Sequence, residues 1–138
     1  MAEAFDPKEV TARLKGTLSD GLGVEVREAT KDRVVARLPI RDELRTVGGA
    51  LHGGTLMAFA DTMGAVATVL NLPAGATTTT LESKTNFFGA GRDGFAHSET
   101  TPLHRGKRTM VWQTRVSRED GKLVALVSQT QLVLHQSS

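Results

Sequence analysis

Apolar residues change their spacing several times along the chain, and each change predicts an element. Within residues 7–22, Val10, Leu14 and Leu18 recur every four positions, the repeat of one helix face. Asp6 stands at the N-cap position, directly before a proline in the first helical position, and Gly21 and Gly23 supply the stop. Residues 24–29 and 33–40 then alternate or run as β-branched residues around Thr30-Lys31-Asp32, which predicts a hairpin. A loop carrying Gly48 and Gly49 follows over residues 41–51.

The run HGGTLMAFADTMGAVATVLNL has no strand alternation and is rich in Ala, Leu and Met, so a helix is expected over residues 53–71. Its apolar residues fall on nearly every face, which predicts a helix buried all round. Pro73 and Gly75 close it. Everything beyond is β-rich: residues 77–88, 95–104, 108–117 and 123–134, separated by turns such as Gly91-Arg92-Asp93-Gly94 and Glu119-Asp120-Gly121. Two strands, a helix and four strands in meander style suggest an α+β domain, a curled antiparallel sheet wrapped around one long helix.

Composition narrows the class. A chain of 138 residues fits one domain, here taken as residues 1–138, with a core of its own. Cysteine is absent, which removes disulfides, thiolate metal sites and cysteine nucleophiles from consideration. The start, MAEAFDPKEV, has no apolar run of the kind a secretory signal needs, and the longest apolar stretch is interrupted by Asp61, Gly64 and Asn71. A cytoplasmic protein away from the membrane is the expectation. Seventeen basic and 15 acidic residues are well mixed, with one Trp, five Phe and no Tyr. There is no basic face with stacking rings for nucleic acid, and the small positive excess points towards an anionic small ligand.

Two features of the central helix call for chemistry. Leu51-His52-Gly53-Gly54 places two glycines where a helix presents unpaired N–H groups and a partial positive charge, an arrangement suited to a polarised carbonyl oxygen. The plainer alternative is a tight loop-to-helix turn. Asp61 lies in mid-helix with Met57, Ala58, Gly64 and Ala65 three and four positions away. A carboxylate there is costly unless paired, and burial would raise its pKa towards general-base work. The alternative is an Asp that bonds a backbone group in a neighbouring loop. From Gly53 to Asp61 is about 12 Å along a helix, too far for both to reach one carbonyl carbon from the same chain. If they share a site, a two-fold axis must bring Gly53 of one chain to Asp61 of another, giving a symmetric homodimer with two composite sites.

LHGGTLMAFADTMGAVA resembles the signature of hot-dog-fold acyl-CoA thioesterases, in particular the phenylacetic-acid-degradation (PaaI-like) subfamily. The resemblance continues through TLESKTNFFGAGRDG, LHRGKRT and VWQTRVSREDGKLVALVSQTQLVL, about residues 35 to 134. It implies hydrolysis of an acyl-CoA without a cofactor or metal. The Gly53 N–H, with Gly54 beside it, would bind the thioester oxygen, and His52 would help hold the acyl carbonyl or the loop. Asp61 of the partner chain would be general base or nucleophile. A hydroxyl on the next strand often holds the water in relatives. Thr80 is preferred over Thr79 here, because it shares parity with Glu82, Lys84 and Asn86. Arg105, Lys107 and Arg108 would meet CoA phosphates, or else form a solvated turn. Relatives commonly pair dimers into a homotetramer.

Relatives often have Asn six residues before the HGG histidine, where this chain has Thr46, whose hydroxyl can still donate a hydrogen bond. Rival functions are an acyl-thioester hydratase or dehydratase, a non-catalytic acyl-CoA-binding protein, and an inactive relative kept for assembly. HGG with Asp61 fits hydrolysis better than hydration, and sensors of this fold generally carry an added DNA-binding domain. His97 and His135 show no ligand spacing with His52 or His104. Leu51, Met57, Phe59, Phe87 and Phe88 are read mainly as core, with an acyl tunnel as the alternative. Medium-chain and aromatic acyl groups are equally open.

Overall fold

A computed structural model describes residues 3–136. Its strands are β1 (Ala4–Phe5), β2 (Glu25–Thr30), β3 (Val34–Pro39), β4 (Thr77–Phe87), β5 (Phe95–Arg105), β6 (Thr109–Ser117) and β7 (Leu123–Leu134). The helices are α1 (Pro7–Ala12), α2 (Leu18–Leu22) and α3 (Gly53–Val69). All seven strands form one antiparallel sheet in the order β1-β2-β3-β5-β6-β7-β4, and α3 packs against β3 through β7. This is the curled sheet around a long helix that the sequence suggests.

The N-terminal segment is two helices instead of one. Asp6 caps α1, accepting from the Lys8 N–H at 2.9 Å. The chain then turns through Gly16 at φ 81°, which a continuous helix cannot contain, and restarts at Leu18. Leu18 is thereby 71 % exposed, while Val10 and Leu22 are buried. Gly21 lies inside α2, and Gly23, at φ 85°, ends it. The loop after β3 contains a single 3-10 turn at Asp42–Leu44.

Strand order departs from a simple meander. β5, β6 and β7 follow one another, but β4 pairs with β7 along its length, from Thr77 opposite Leu134 to Phe87 opposite Ala125. β4 is therefore an edge strand, and the chain crosses from it to β5 beside β3. A bulge between Thr80 and Glu82 shifts its register against β7.

Core formation follows the alternation. Val34, Ala36 and Leu38 of β3 are fully buried, as are Trp112 and Val116 of β6. From α3, Leu56, Phe59, Ala60, Met63, Gly64, Ala67 and Thr68 face these strands. The opposite face is covered only in part within the chain, by the N-terminal segment: Met57 and Val69 are 40 % and 48 % exposed, and Asp61 and Ala65 are half-buried. The helix is thus apolar on both sides but buried on one. Leu51 and Phe59 are core, whereas Phe87 and Phe88 are exposed. No described helix is long and apolar enough to cross a membrane.

Two contacts fix α3 against the sheet. Gly64 lies under Gln129 of β7; a Cβ there would stand 2.1 Å from the Gln129 amide carbon, so only glycine fits while that side chain keeps its place. One turn on, Thr68 Oγ1 donates to the Gly64 carbonyl at 2.8 Å and accepts from the Trp112 indole N–H at 2.9 Å. Both residues are fully buried. Thr68→Val keeps the side-chain shape and removes the acceptor, so the indole N–H is left unpaired in the core. We expect a loss of about 1–3 kcal/mol, read as a lower urea midpoint with an unchanged denaturant slope.

Candidate active site

Asp61 is placed by helical periodicity on the half-buried side of α3, towards β4 and β7. Its Oδ1 accepts from the Thr80 hydroxyl at 2.7 Å and from Gln129 Nε2 at 3.1 Å, while Gln129 also reaches the Asp61 carbonyl at 3.3 Å. Thr80 in turn accepts from Gln131 Nε2 at 2.7 Å, and Gln131 Oε1 accepts from the Thr78 hydroxyl at 2.9 Å. The donors run in one direction, Gln131 to Thr80 to Asp61, and end on a single carboxylate oxygen, with the Thr78 proton shared between Gln131 and the Leu132 carbonyl at 2.8 Å. Among the described residues no donor reaches Oδ2. Asp61 therefore bonds strand side chains, not a loop backbone.

Gln129 and Gln131 are missing from the sequence reading, although a signal for them exists. Ala125, Val127, Gln129, Gln131 and Val133 share one parity of β7 and are all buried, so two amides interrupt an otherwise apolar inward row. Thr80 faces Asp61, but not on the ground of parity with Glu82, Lys84 and Asn86. The bulge shifts the pattern, so that Thr78, Thr80, Ser83 and Thr85 are half-buried while Glu82, Lys84 and Asn86 point outward. Thr79 is exposed on the outer face.

At the start of α3, His52 is the N-cap, and its Nδ1 accepts from the Gly54 N–H at 2.7 Å. The His52 ring is thus tied to the helix end, and the Gly54 donor is consumed by it. Thr55 and Leu56 donate to the His52 carbonyl. This leaves the Gly53 N–H without a partner among the described residues. The Phe87 ring lies beside it, with ring atoms 3.2 and 3.3 Å from where a Gly53 Cβ would be. Gly53 is eight residues from Asp61 within the one helix, about 12 Å along its axis.

The remaining sequence candidates lie apart. Thr46 Oγ1 accepts from the Gly48 N–H at 3.1 Å, closing its own turn. Arg105 Nη1 donates to Asp32 Oδ1 at 2.7 Å and to the Lys31 carbonyl at 2.9 Å, clamping the β5 end to the β2–β3 turn. Lys107 and Arg108 are exposed on the turn between β5 and β6. His97 pairs with Glu119 at 2.7 Å, and His135 with the Lys107 carbonyl at 2.9 Å. Among the described residues no group of three His, Asp or Glu side chains could hold a metal ion.

A half-buried carboxylate fixed through one oxygen, and a helix N-terminus with a free glycine N–H, are the parts of a site for acyl transfer. Comparison with known proteins agrees. Residues 48–125 match the Thioesterase superfamily. A Vibrio cholerae protein named provisionally as an esterase is 32% identical over 117 residues, 85% of this chain and 78% of its own length. The 1,4-dihydroxy-2-naphthoyl-CoA hydrolase of Escherichia coli is 28% identical over 109 residues, 79% of this chain and 80% of that protein. A crystal structure of a thioesterase from Haemophilus influenzae superposes with a TM-score of 0.92 at 27% identity, over 97% of this chain and 94% of that one. With most of its fold and more than half of its sequence matched in this way, the chain belongs to the thioesterase superfamily and is a hot-dog-fold thioesterase.

Proposed function

We propose that the protein hydrolyses an acyl-CoA thioester to a free acid and CoA, as a PaaI-like enzyme, at sites shared between two protomers. The observation that carries this is the state of the Asp61 carboxylate. One oxygen is held by Thr80 and Gln129, and the other is left for chemistry beside a cavity of about 350 Å³ and another of about 290 Å³. The CoA part of the reading draws on the relative in Escherichia coli, whose name is that of a CoA-thioester hydrolase.

Three features support a second protomer. Gly53 and Asp61 are too far apart on one helix to act on one carbonyl. The α3 face towards β4, bearing exposed Met57 and half-buried Asp61, is open. The edge strand β4 offers 11 residues on its free side, with Leu81 58 % exposed, and such an edge calls for a cover. Two chains related by a two-fold axis, with α3 antiparallel to its mate, cover both surfaces and set one protomer's Gly53 against the other's Asp61. Pairing of such dimers into a tetramer is the further expectation from the resemblance.

In that site the Gly53 N–H and the dipole of α3 stabilise negative charge on the thioester oxygen. Asp61 Oδ2 takes a proton from water as the water attacks the carbonyl carbon, and the thiolate of CoA leaves and is protonated. The same oxygen is placed to attack the carbon directly, forming a mixed anhydride that water then opens. Thr80 orients the carboxylate: its proton points to Asp61 and one lone pair accepts from Gln131, which leaves one lone pair to accept from the attacking water. His52 holds the helix start. Lys107 and Arg108 offer exposed cations for CoA phosphates, whereas Arg105 is occupied by Asp32.

Free-thiol release from a panel of short, medium, long and aromatic acyl-CoAs tests the reading. Asp61→Asn retains an oxygen for Thr80 and Gln129 but has no base or nucleophile, so we expect an intact fold and a fall in turnover of about 10²–10⁴-fold. Release at the wild-type rate by this variant would remove Asp61 from the mechanism. Binding of CoA esters without release by the wild type would favour a non-catalytic acyl-CoA-binding protein. For Thr80, the valine variant is expected to lose about tenfold or more in kcat while serine restores most of it, because aim at the carboxylate is what matters. Equal rates for the two variants would exclude an orienting hydroxyl.

A further inference from the structure

Between α3 and the N-terminal helical segment opens a groove of about 350 Å³, and Asp61, which bonds Thr80 of β4, is part of its lining. One wall is formed by Asp61, Thr62, Ala65, Val66 and Val69 of α3 and its C-cap Leu70, a band that winds over about half of the helix circumference. Val10 and Leu14 stand opposite, with Arg13 and Thr17 beside them. The segment bends at Gly16, φ 81°, where α1, packed on β2, gives way to α2, packed on α3.

We propose that this groove takes the acyl chain of the substrate and selects straight aliphatic chains of medium length over aromatic acyl groups. The inference rests on the thioesterase reading of Asp61, since it is the carboxylate that puts the reacting carbonyl at the groove's end. Its shape is the first argument. Asp61 and Leu70 are about 13 Å apart along the helix axis, which suits an extended chain of about ten to twelve carbons, whose zigzag advances less than the C–C bond length of about 1.5 Å per bond. A compact planar ring would fill only part of it.

The chemistry of the lining is the second argument. No aromatic side chain lines the groove, so a ring has no stacking partner there. The hydroxyls near Asp61 are satisfied by the protein: Thr62 donates to the Ala58 carbonyl at 2.8 Å, which leaves Ser19 to donate to Thr62 at 2.7 Å. Neither has a proton left for a substrate hydroxyl or carbonyl, and the walls beyond them are mainly aliphatic.

The far end supplies the limit on length. Past Val69 and Leu70 a second cavity begins, sharing Val10 and Arg13 with the first, and there Glu3, Asp6, Glu9 and Lys31 enter the lining. Lys31 and Glu3 stand 3.8 Å apart. Methylene groups pushed beyond Leu70 leave an apolar trough for a charged one, so binding energy stops accumulating.

The test is kcat/KM over straight-chain acyl-CoAs from butyryl to palmitoyl, with benzoyl- and phenylacetyl-CoA alongside, for the wild type, Val66→Phe and Leu14→Trp. These variants narrow the groove from opposite walls, so a folding defect in one leaves the other. For the wild type we expect a rise of about fourfold per methylene where burial is complete, levelling off near ten to twelve carbons. In each variant the ratio of decanoyl to butyryl turnover should fall at least tenfold. Binding of non-hydrolysable CoA thioethers of the same chain lengths, followed by calorimetry, separates the two claims. Chain-length-dependent binding that the variants abolish, without turnover of any ester, would uphold the groove and overturn the hydrolase. Turnover with a flat chain-length profile, a preference for an aromatic ester, or ratios unmoved in both variants would overturn the groove and leave the hydrolase standing.

Discussion

A carboxylate in the middle of a core-forming helix must be given donors, and much of this structure can be understood as the arrangement that supplies them to Asp61. The helix alone offers none: the residues one turn either side are small or apolar. Donors come from two adjacent strands, Thr80 on β4 and Gln129 on β7, so the pairing of β4 with β7 is what makes the position tenable. Gly64 has no side chain because Gln129 crosses over it on the way to Asp61. Gln131 and Thr78 extend the network into the sheet, so that Gln129 and Gln131 together place two polar residues in the inward row of β7. All of this ends on one oxygen, and the other is spared.

The same helix explains the open surfaces of the chain. Its composition is apolar all round, yet the sheet covers one face only. Beside the open face lies an unpaired strand edge, and at the helix start lies an unpaired N–H. Each would be a liability in an isolated chain. A second copy placed about a two-fold axis answers the helix face and strand edge together, and brings the glycine N–H to the carboxylate that its own chain cannot reach. Assembly and chemistry then become one requirement in the proposed enzyme. The N-terminal segment fits this division of labour, since it walls the side of α3 that neither β4 nor a mate across β4 would cover.

Much of this was legible in the residues. HGG at a helix start and Asp61 eight positions on are local signals, and helical rise converts their spacing into a distance without any knowledge of the sheet. Long-range features were less legible. The place of β4 at the sheet edge depends on which strands pair, and strands of similar alternation do not say which. The bulge after Thr80 inverts parity, so the side of Thr80 could not be inferred from Glu82 and Lys84. Gln129 and Gln131 were visible only as amides in an apolar row, a pattern that has meaning once a buried partner is known. Gly16 split the first helix because a single left-handed residue outweighs the four-residue spacing of Val10, Leu14 and Leu18. The pairing of Arg105 was not legible because its partner, Asp32, is distant in sequence.

In the proposed enzyme Gly53 and Asp61 act on one carbonyl from different chains. Two variants, Asp61→Asn and Gly53→Val, each remove one half of every site, and subunit exchange between them forms heterodimers with one intact site and one lacking both halves. Thiol release from an acyl-CoA should be near background for either variant alone. It should recover to about a quarter of the wild-type rate per protomer after mixing in equal amounts, given random exchange between two-fold symmetric dimers. Full exchange, demonstrated with differently tagged subunits, without any recovery of rate would contradict a site shared between chains.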